Sequence, residues 1–260
     1  MALPFVIERA IRGLARAGRL LEDVILPCGC RACDAAIDPE DLDFCETCAT
    51  QLANCVARAY CGRCGEERHE YLLHDAVCTS CKLGKRPLAW RSIVRVGRYE
   101  GPLKSMILKF KQQYKLDHVL GRMLADAILG RLNPSEIDAW TPIPMHWGRR
   151  LGKSFQPTML LARTAVARWN GSVEPLLRMT RFVEPFHARP GLTAKDRTNE
   201  IAGAMAPTRG SAIAGRRICL IDDVTTTGAT LREACRVLKD AGARSVDVAV
   251  VARAARGLRE

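Results

Sequence analysis

The chain reads Ile218-Cys219-Leu220-Ile221-Asp222-Asp223-Val224-Thr225-Thr226-Thr227-Gly228-Ala229-Thr230 in its most informative stretch. The four apolar residues at its start predict a buried strand of a parallel sheet, and two acids follow where that strand ends. Apolar residues then recur at helical spacing over residues 231–241, so the stretch predicts a strand, a turn and a helix. Ligands bind at the carboxyl ends of strands in open α/β sheets, which makes this turn the candidate ligand site.

Hydroxyl residues and a glycine form the turn before this helix. The first backbone N–H groups of a helix have no partner within the helix, and the helix dipole is positive there. With short O–H donors beside them, they predict a cup for one phosphate group, formed by Thr225, Thr226, Thr227, Gly228, Ala229 and Thr230. Asp222 and Asp223 can accept hydrogen bonds from vicinal hydroxyls, which favours a sugar beside that phosphate. The alternative is that Asp223 caps the turn and that the threonines are ordinary helix caps.

Motifs and composition exclude several classes of protein. The turn has neither the lysine of a Walker loop nor the G-x-G-x-x-G of a dinucleotide fold. The chain has 260 residues, 48% of them hydrophobic and 26% charged, which predicts a globular protein. Its longest apolar run, within residues 246–252, is too short to cross a bilayer, so we expect no integral membrane segment. Arginines are spread through the first 26 residues, where a secretion signal needs a separate apolar core, and we therefore expect a cytoplasmic protein.

Strand and helix patterns alternate through the chain from residue 88 onward, which predicts an α/β domain with a mainly parallel sheet flanked by helices. A basic stretch at residues 178–199 reads as a loop. The predicted strands are residues 93–96, 173–177, 218–224 and 246–252, and the predicted helices are residues 116–128, 159–169 and 231–241.

Charge and cysteine content divide the chain into three predicted regions. Residues 1–26 have the apolar spacing of an amphipathic helix, which could pack against the protein or lie on a membrane. Residues 27–87 are acidic and hold ten of the twelve cysteines. Residues 88–260 have 29 basic against 15 acidic residues, within a net charge of +12 for the whole chain. This basic body predicts an anionic ligand.

Eight cysteines form two successive sets, each made of two C-x2-C pairs. Two such pairs can close a tetrahedral Zn²⁺ site, and four thiolates leave no open position, so we expect two structural zinc ions. Disulfides or redox cysteines are the alternatives, and paired C-x2-C units in a chain without an export signal favour the metal. His69 or His74 could replace a ligand of the second set, and Cys28 could replace Cys30. The expected ligands are Cys30, Cys33, Cys45, Cys48, Cys61, Cys64, Cys78 and Cys81.

The stretch from Asp222 to Thr230 resembles the phosphoribosyl-pyrophosphate (PRPP) signature of type I phosphoribosyltransferases. With the cysteine sets before it, the chain resembles the ComF (ComFC-like) family of competence-associated proteins, which join a double zinc ribbon to a phosphoribosyltransferase domain. The resemblance covers residues 27–255. Further matches are Tyr99-Glu100-Gly101-Pro102-Leu103, Ile107-Leu108-Lys109-Phe110-Lys111, Pro142-Ile143-Pro144, Asp196-Arg197-x2-Asn199 and Gly203-Ala204-Met205.

The resemblance implies a type I phosphoribosyltransferase-like sheet preceded by two small zinc ribbons, and a site for PRPP with Mg²⁺. Asp222 and Asp223 would bind the ribose hydroxyls, and Thr225 to Thr230 the 5-phosphate. The segment after Pro144 would hold the pyrophosphate, and the loop at 178–199 would close over the site. The cations implied for these two segments are Arg149, Arg150 and Lys153 for pyrophosphate binding, and Lys195 and Arg197 for catalysis.

One segment departs from the family pattern. The chain reads Lys153-Ser154-Phe155-Gln156 where the family has Arg-Gly-Phe-Asn, and a lysine cannot make the two-pronged contact of an arginine. If the basic body serves PRPP, its cations should gather at one pocket. They are Lys109, Lys111, Arg149, Arg150, Lys153, Lys195 and Arg197.

Three functions are compatible with these motifs. The leading hypothesis is a phosphoribosyltransferase that moves ribose 5-phosphate onto an unidentified acceptor. A sensor that binds PRPP without catalysis is the second. The third is a nucleic-acid-associated protein that binds single-stranded DNA and works with a helicase partner. Acidic ribbons with few aromatic residues argue against the third, because single strands are bound by basic grooves and aromatic stacking.

Overall fold

The computed structural model describes residues 29–37, 43–56, 59–68, 77–85, 88–112, 116–145, 156–183 and 193–254. The chain divides into two compact units, one ending at Ala53 and the other starting at Asn54. The first cysteine set lies in the first unit, and the second set lies in the second. The predicted helix at residues 1–26 lies outside the described residues, as do Cys28, His69 and His74. The predicted domain boundaries after residues 26 and 87 stay predictions.

Each cysteine set begins on a turn closed by an antiparallel bridge. In the first set this bridge joins Gly29 to Ala36, and helix α1 spans Glu46–Val56. In the second set it joins Tyr60 to Glu67, and the short helix α2 spans Thr79–Lys82.

A parallel sheet forms the centre of the second unit, with the order β1-β6-β5-β2. A small antiparallel pair of strands, β3 and β4, lies apart from it. In chain order the strands are β1 (Ile93–Arg98), β2 (Ala139–Pro142), β3 (Leu177–Met179), β4 (Met205–Pro207), β5 (Arg217–Thr225) and β6 (Ser245–Arg253). Residues 246–252 of β6 are buried throughout, as expected for a central strand covered on both faces.

Helices cover this sheet. Their buried faces carry the apolar residues that the sequence places at helical spacing, such as Leu231 and Leu238. They are α3 (Gly101–Gln112), α4 (Asp117–Leu129), α5 (Pro157–Val166), α6 (Ala194–Ile201) and α7 (Ala229–Asp240), with 3₁₀ turns at Pro134–Glu136 and Ala167–Trp169. The predicted α/β class and parallel sheet are confirmed.

Two local predictions are wrong. Residues 173–177 do not form a strand. Val173 makes only an isolated bridge to Trp140, and β3 starts at Leu177. Residues 178–199 are not all loop, because α6 starts inside them. Thr193 and Asp196 form a capping box, in which each side chain accepts a hydrogen bond from the other residue's backbone N–H, and this stabilises a short polar helix that apolar periodicity does not reveal.

Within the described ranges, no helix combines the length and the apolar composition needed to cross a membrane.

Candidate functional site

The hydroxyl-rich turn connects the end of β5 to the start of α7. β5 ends at Thr225, and Gly228 caps α7 with a φ of 76°, in the left-handed region that favours glycine. The Thr227 hydroxyl accepts a hydrogen bond from the Ala229 N–H at 3.3 Å. At the other end of the turn, the Ala254 N–H donates to the Thr225 carbonyl at 2.9 Å. The structure therefore places the turn at a helix N-terminus and at the carboxyl edge of the sheet, where a phosphate group can bind.

Two adjacent carboxyl groups precede this turn on β5. Asp222 is buried, and its Oδ1 accepts a hydrogen bond from the Asp223 N–H at 2.9 Å. Asp223 Oδ1 accepts one from the Val224 N–H at 2.6 Å. Burial, and then the Asp223 carboxylate, raise the pKa of Asp222 well above its ordinary value. One oxygen of each acid therefore accepts a local backbone hydrogen bond, as expected if these residues cap the turn.

Lys111, near the end of α3, provides a positive charge at the acid pair. Its Nζ lies 3.2 Å from Asp223 Oδ2. Burial is the largest single influence and disfavours the charged amine, but the charge and hydrogen bond of Asp223 and the charge of Asp222 together outweigh it, so the pKa of Lys111 is raised. The sequence singled out Lys111 only as part of a family motif and as one of seven cations. The fold brings it to the carboxylates.

Arg232 on α7 was not predicted as a site residue. Its Nη1 donates to the Thr227 carbonyl at 2.9 Å, and its Nη2 lies 3.4 Å from the Thr198 hydroxyl on α6. One side chain therefore joins the hydroxyl-rich turn to α6. A clue in the sequence was its position one helical turn after Gly228, since residues i and i+4 lie on one face of a helix.

The structure describes only part of the two segments that hold the other predicted cations, residues 149–153 and 195–197. Arg149, Arg150 and Lys153 lie outside the described residues. Lys195 and Arg197 lie on α6, and the description covers the backbone there but not these two side chains.

Both cysteine sets form four-thiol clusters. Within each cluster the four Sγ atoms lie within 4.8 Å of one another. Cys33 Sγ to Cys45 Sγ is 3.8 Å, and so is Cys64 Sγ to Cys78 Sγ. The edge of a tetrahedron with metal–sulfur bonds of about 2.3 Å is about 3.8 Å, so both clusters fit a Zn²⁺-sized ion. The eight predicted ligands are the eight clustered cysteines.

The second cluster is bonded to the sheet through the Cys61–Cys64 turn. The N–H of Ile93, the first residue of the edge strand β1, donates to the Gly62 carbonyl at 2.8 Å. Inside the cluster, the Cys78 N–H donates to Cys61 Sγ at 3.2 Å. The hydrogen bond between Cys64 and Cys61, partly opposed by burial, lowers the pKa of Cys61 to about 4, and the same hydrogen bond raises the pKa of Cys64.

Two cavities adjoin this cluster and β1, with volumes of about 30 Å³ and about 290 Å³. Arg95 lines both of them, and Tyr60 lines the larger one. Neither is lined by a residue of the turn between β5 and α7.

Residues 188–260 match the family model described as phosphoribosyl transferase domain. This match includes the acid pair, the hydroxyl-rich turn and β6. With a parallel sheet flanked by helices, it defines a protein of the type I phosphoribosyltransferase fold class.

Two relatives match most of the chain. Competence protein F of Haemophilus influenzae is 30% identical over 217 residues, covering 81% of this chain and 90% of the relative. DNA utilization protein YhgH of Escherichia coli K12 is 26% identical over 215 residues, covering 79% and 88%. The chain belongs to the competence protein F (ComF) family. Its two cysteine clusters fit the double zinc ribbon that the sequence motifs predict.

Solved structures with a similar fold share little sequence with this chain. The glutamine PRPP amidotransferase of B. subtilis is 21% identical with a TM-score of 0.35, covering 52% of this chain and 26% of that one. A hypoxanthine phosphoribosyltransferase of Staphylococcus aureus is 11% identical with a TM-score of 0.35, covering 55% and 67%.

Proposed function

We propose that this protein binds PRPP with Mg²⁺ and either transfers or senses its ribose 5-phosphate unit. The observation that carries the proposal is the order of groups on β5 and α7: two adjacent carboxyl groups, then a hydroxyl-rich turn, then a helix N-terminus. The turn at residues 225–230 suits the 5-phosphate, because N–H and O–H groups donate to its oxygens. Asp222 and Asp223 suit the neighbouring ribose hydroxyls, which donate to carboxylate oxygens.

The chain also offers groups for the pyrophosphate end of this ligand. Carboxylate oxygens such as those of Asp222 and Asp223 are ligands that Mg²⁺ accepts, and the metal would neutralise charge on the leaving pyrophosphate. Lys111 already lies at the acid pair and adds positive charge to that part of the site. Lys195 and Arg197 lie on α6, which Arg232 joins to the turn. We propose that they approach the leaving group from there, and that Arg149, Arg150 and Lys153 bind the pyrophosphate.

Transfer and sensing differ in the step after binding. Loss of pyrophosphate builds positive charge on the sugar, so a transferase needs cations on the leaving oxygens and an acceptor close to the ribose. A sensor needs only the binding groups. Both outcomes start from the same complex.

The test is titration calorimetry of PRPP and Mg²⁺ with the intact protein, followed by a pyrophosphate-release assay with a panel of bases and amines. We expect saturable binding by the native protein. The double variant Asp222→Asn, Asp223→Asn should lose at least about 100-fold in affinity, because both ribose contacts go. Equal affinity in the variant would mean that the acids are only caps, and no binding by the native protein would refute the proposal.

We propose that each of the two clusters holds one structural Zn²⁺ ion. Four thiolates at tetrahedral spacing saturate the metal, so neither cluster offers a position for a substrate. Thiol-rich metal sites persist in reducing compartments, in keeping with a cytoplasmic protein.

A second candidate function is binding of single-stranded DNA, with a helicase as partner. The names of the two relatives refer to competence and to DNA utilization. Residues 88–260 also have 29 basic against 15 acidic residues, which suits a polyanion as well as PRPP.

A further inference from the structure

Trp90 joins the second cysteine cluster to the core of the sheet. Its indole is 2% exposed. The indole Nε1–H donates to the Arg63 carbonyl at 2.9 Å, and Arg63 lies between the ligands Cys61 and Cys64. A buried indole N–H needs an acceptor, and here a metal-binding turn provides it.

The far edge of the same indole touches the hydroxyl-rich turn. A Cβ atom added to Gly228 would lie 3.1 Å from Trp90 Cη2, so the edge of the indole occupies the space beside Gly228 that a side chain would fill. Gly228 has a φ of 76° and is the N-cap of α7. The indole therefore supports the residue at which the proposed phosphate cup becomes a helix.

A second connection reaches the other end of the turn. Glu66, which closely follows the ligand Cys64 in the chain, makes a 2.6 Å ion pair with Arg253, the last residue of β6. The next residue, Ala254, donates its N–H to the Thr225 carbonyl at 2.9 Å. Two groups bonded to the cysteine turn or its neighbour Glu66 therefore lie at the two ends of the loop at 225–228. The Trp90 indole lies against Gly228, and the end of β6, which pairs with Glu66, is bonded to Thr225.

We propose that Trp90 is a positioning residue. It holds the loop at 225–228 in place by connecting it to the second cysteine cluster, which a bound metal ion would make rigid. The physical reason is preorganisation: backbone N–H groups bind a phosphate best when they are held in place before it arrives. A four-thiolate metal site rigidifies the turn at 61–64, and the indole links that turn to Gly228. The ligand part of this inference rests on the proposed function, whereas the mechanical part does not.

Amide hydrogen exchange of the intact, metal-loaded protein tests the mechanical part without any ligand. In Trp90→Leu, we expect amides 226–229 to exchange at least about tenfold faster, while amides 218–222 of β5 keep their protection. Trp90→Phe keeps a ring near Gly228 but loses the hydrogen bond to Arg63, and should give a smaller increase. If Trp90→Leu loses protection across β5, the comparison is made with Trp90→Phe alone.

Trp169→Leu is the matched control, because Trp169 packs against Trp140 with ring centroids 4.9 Å apart. It removes the same kind of side chain from the fold and should leave amides 226–229 unchanged. Equal exchange of the loop in native protein and in the Trp90 variants would overturn the proposal. An equal increase in the exchange rate of amides 226–229 in Trp169→Leu would also overturn it, since the effect would then not be specific to Trp90.

Calorimetry with PRPP and Mg²⁺ tests the ligand part on the same variants. We expect the Kd to rise about tenfold or more in Trp90→Leu, with two zinc ions still bound per chain, and to stay at the native value in Trp169→Leu. Faster loop exchange with an unchanged Kd would overturn the positioning role. If native protein bound no PRPP, the proposed function would fail, and exchange alone would decide whether Trp90 supports the loop.

Discussion

Asp222 is a buried carboxyl group with a second one beside it. Burial and then the Asp223 carboxylate raise its pKa, so the folded protein holds a proton that an unfolded chain releases at lower pH. Such a group makes the fold less stable when it ionises. A destabilising acid at the carboxyl edge of a sheet is more common in a binding site than in a structural core, because stability is often lost where function needs charge.

We therefore expect Asp222→Asn to raise the free energy of unfolding by about 1 kcal/mol or more at pH 7, while weakening PRPP binding. The native protein's free energy of unfolding should fall as pH rises from the ordinary aspartate range up to the raised pKa of Asp222, because the folded state binds more protons there. The asparagine lacks this dependence, so the gap between the two proteins should widen with pH. Denaturant unfolding between pH 4 and pH 8 measures it.

Asp240→Asn is a suitable control, because Asp240 is an exposed acid at the end of α7 that pairs with Arg236. It should show no gain in stability at pH 7. A gap between Asp222→Asn and native protein that stays constant with pH would show that the pKa of Asp222 is not raised.

The two cysteine clusters are similar elements with different surroundings. The second cluster is bonded to the sheet through the Ile93 N–H and the Trp90 indole, and Cys61 in it is fully buried. In the first cluster, Cys33 is exposed. Removing a metal ligand should therefore affect the sheet unequally in the two cases.

We expect native protein to bind two zinc ions per chain, and Cys33→Ser and Cys61→Ser each to bind about one. Cys61→Ser should lower the Tm of the sheet by about 5 °C or more, because the turn at 61–64 loses its rigidity, whereas Cys33→Ser should change it by less. Metal analysis and thermal unfolding followed by far-UV circular dichroism provide the two measurements. Well under two zinc ions in native protein, or equal Tm values for the two variants, would contradict this.

Charge is the property of the whole molecule that separates the two candidate functions. The net charge of +12 comes from the body at residues 88–260, since residues 27–87 have seven basic against ten acidic residues. A PRPP site needs positive charge at one place, such as Lys111 beside Asp223. A DNA-binding surface needs it along a stripe, with binding that falls steeply as salt is added.

Competition distinguishes these arrangements. If the basic groups serve one site, PRPP with Mg²⁺ should displace a fluorescent single-stranded oligonucleotide from native protein, with a competition constant equal to the Kd from calorimetry. Fluorescence anisotropy at several salt concentrations provides the measurement. Tight, salt-dependent oligonucleotide binding that PRPP leaves unchanged would establish a separate nucleic-acid surface.

Local sequence was sufficient for the elements that carry the proposed site. These elements are adjacent in the chain: the apolar run at 218–221, the two acids and the hydroxyl-rich turn. Residues close in sequence therefore determine the strand, the loop and the start of the helix. The cysteine spacing was sufficient for both clusters in the same way. The helix at Ala194–Ile201 was missed because a capping box, rather than an apolar stripe, stabilises it.

Contacts between distant parts of the chain emerged only from the folded structure. Lys111 reaches Asp223, Trp90 reaches Gly228, and Glu66 pairs with Arg253, 187 residues away. Periodicity shows which face of an element is buried but not which element covers it, because that depends on strand order and on how side chains of particular sizes pack. The order β1-β6-β5-β2 places the first strand of the sheet beside the last, and this brings the second cysteine cluster to the loop that the proposed ligand needs.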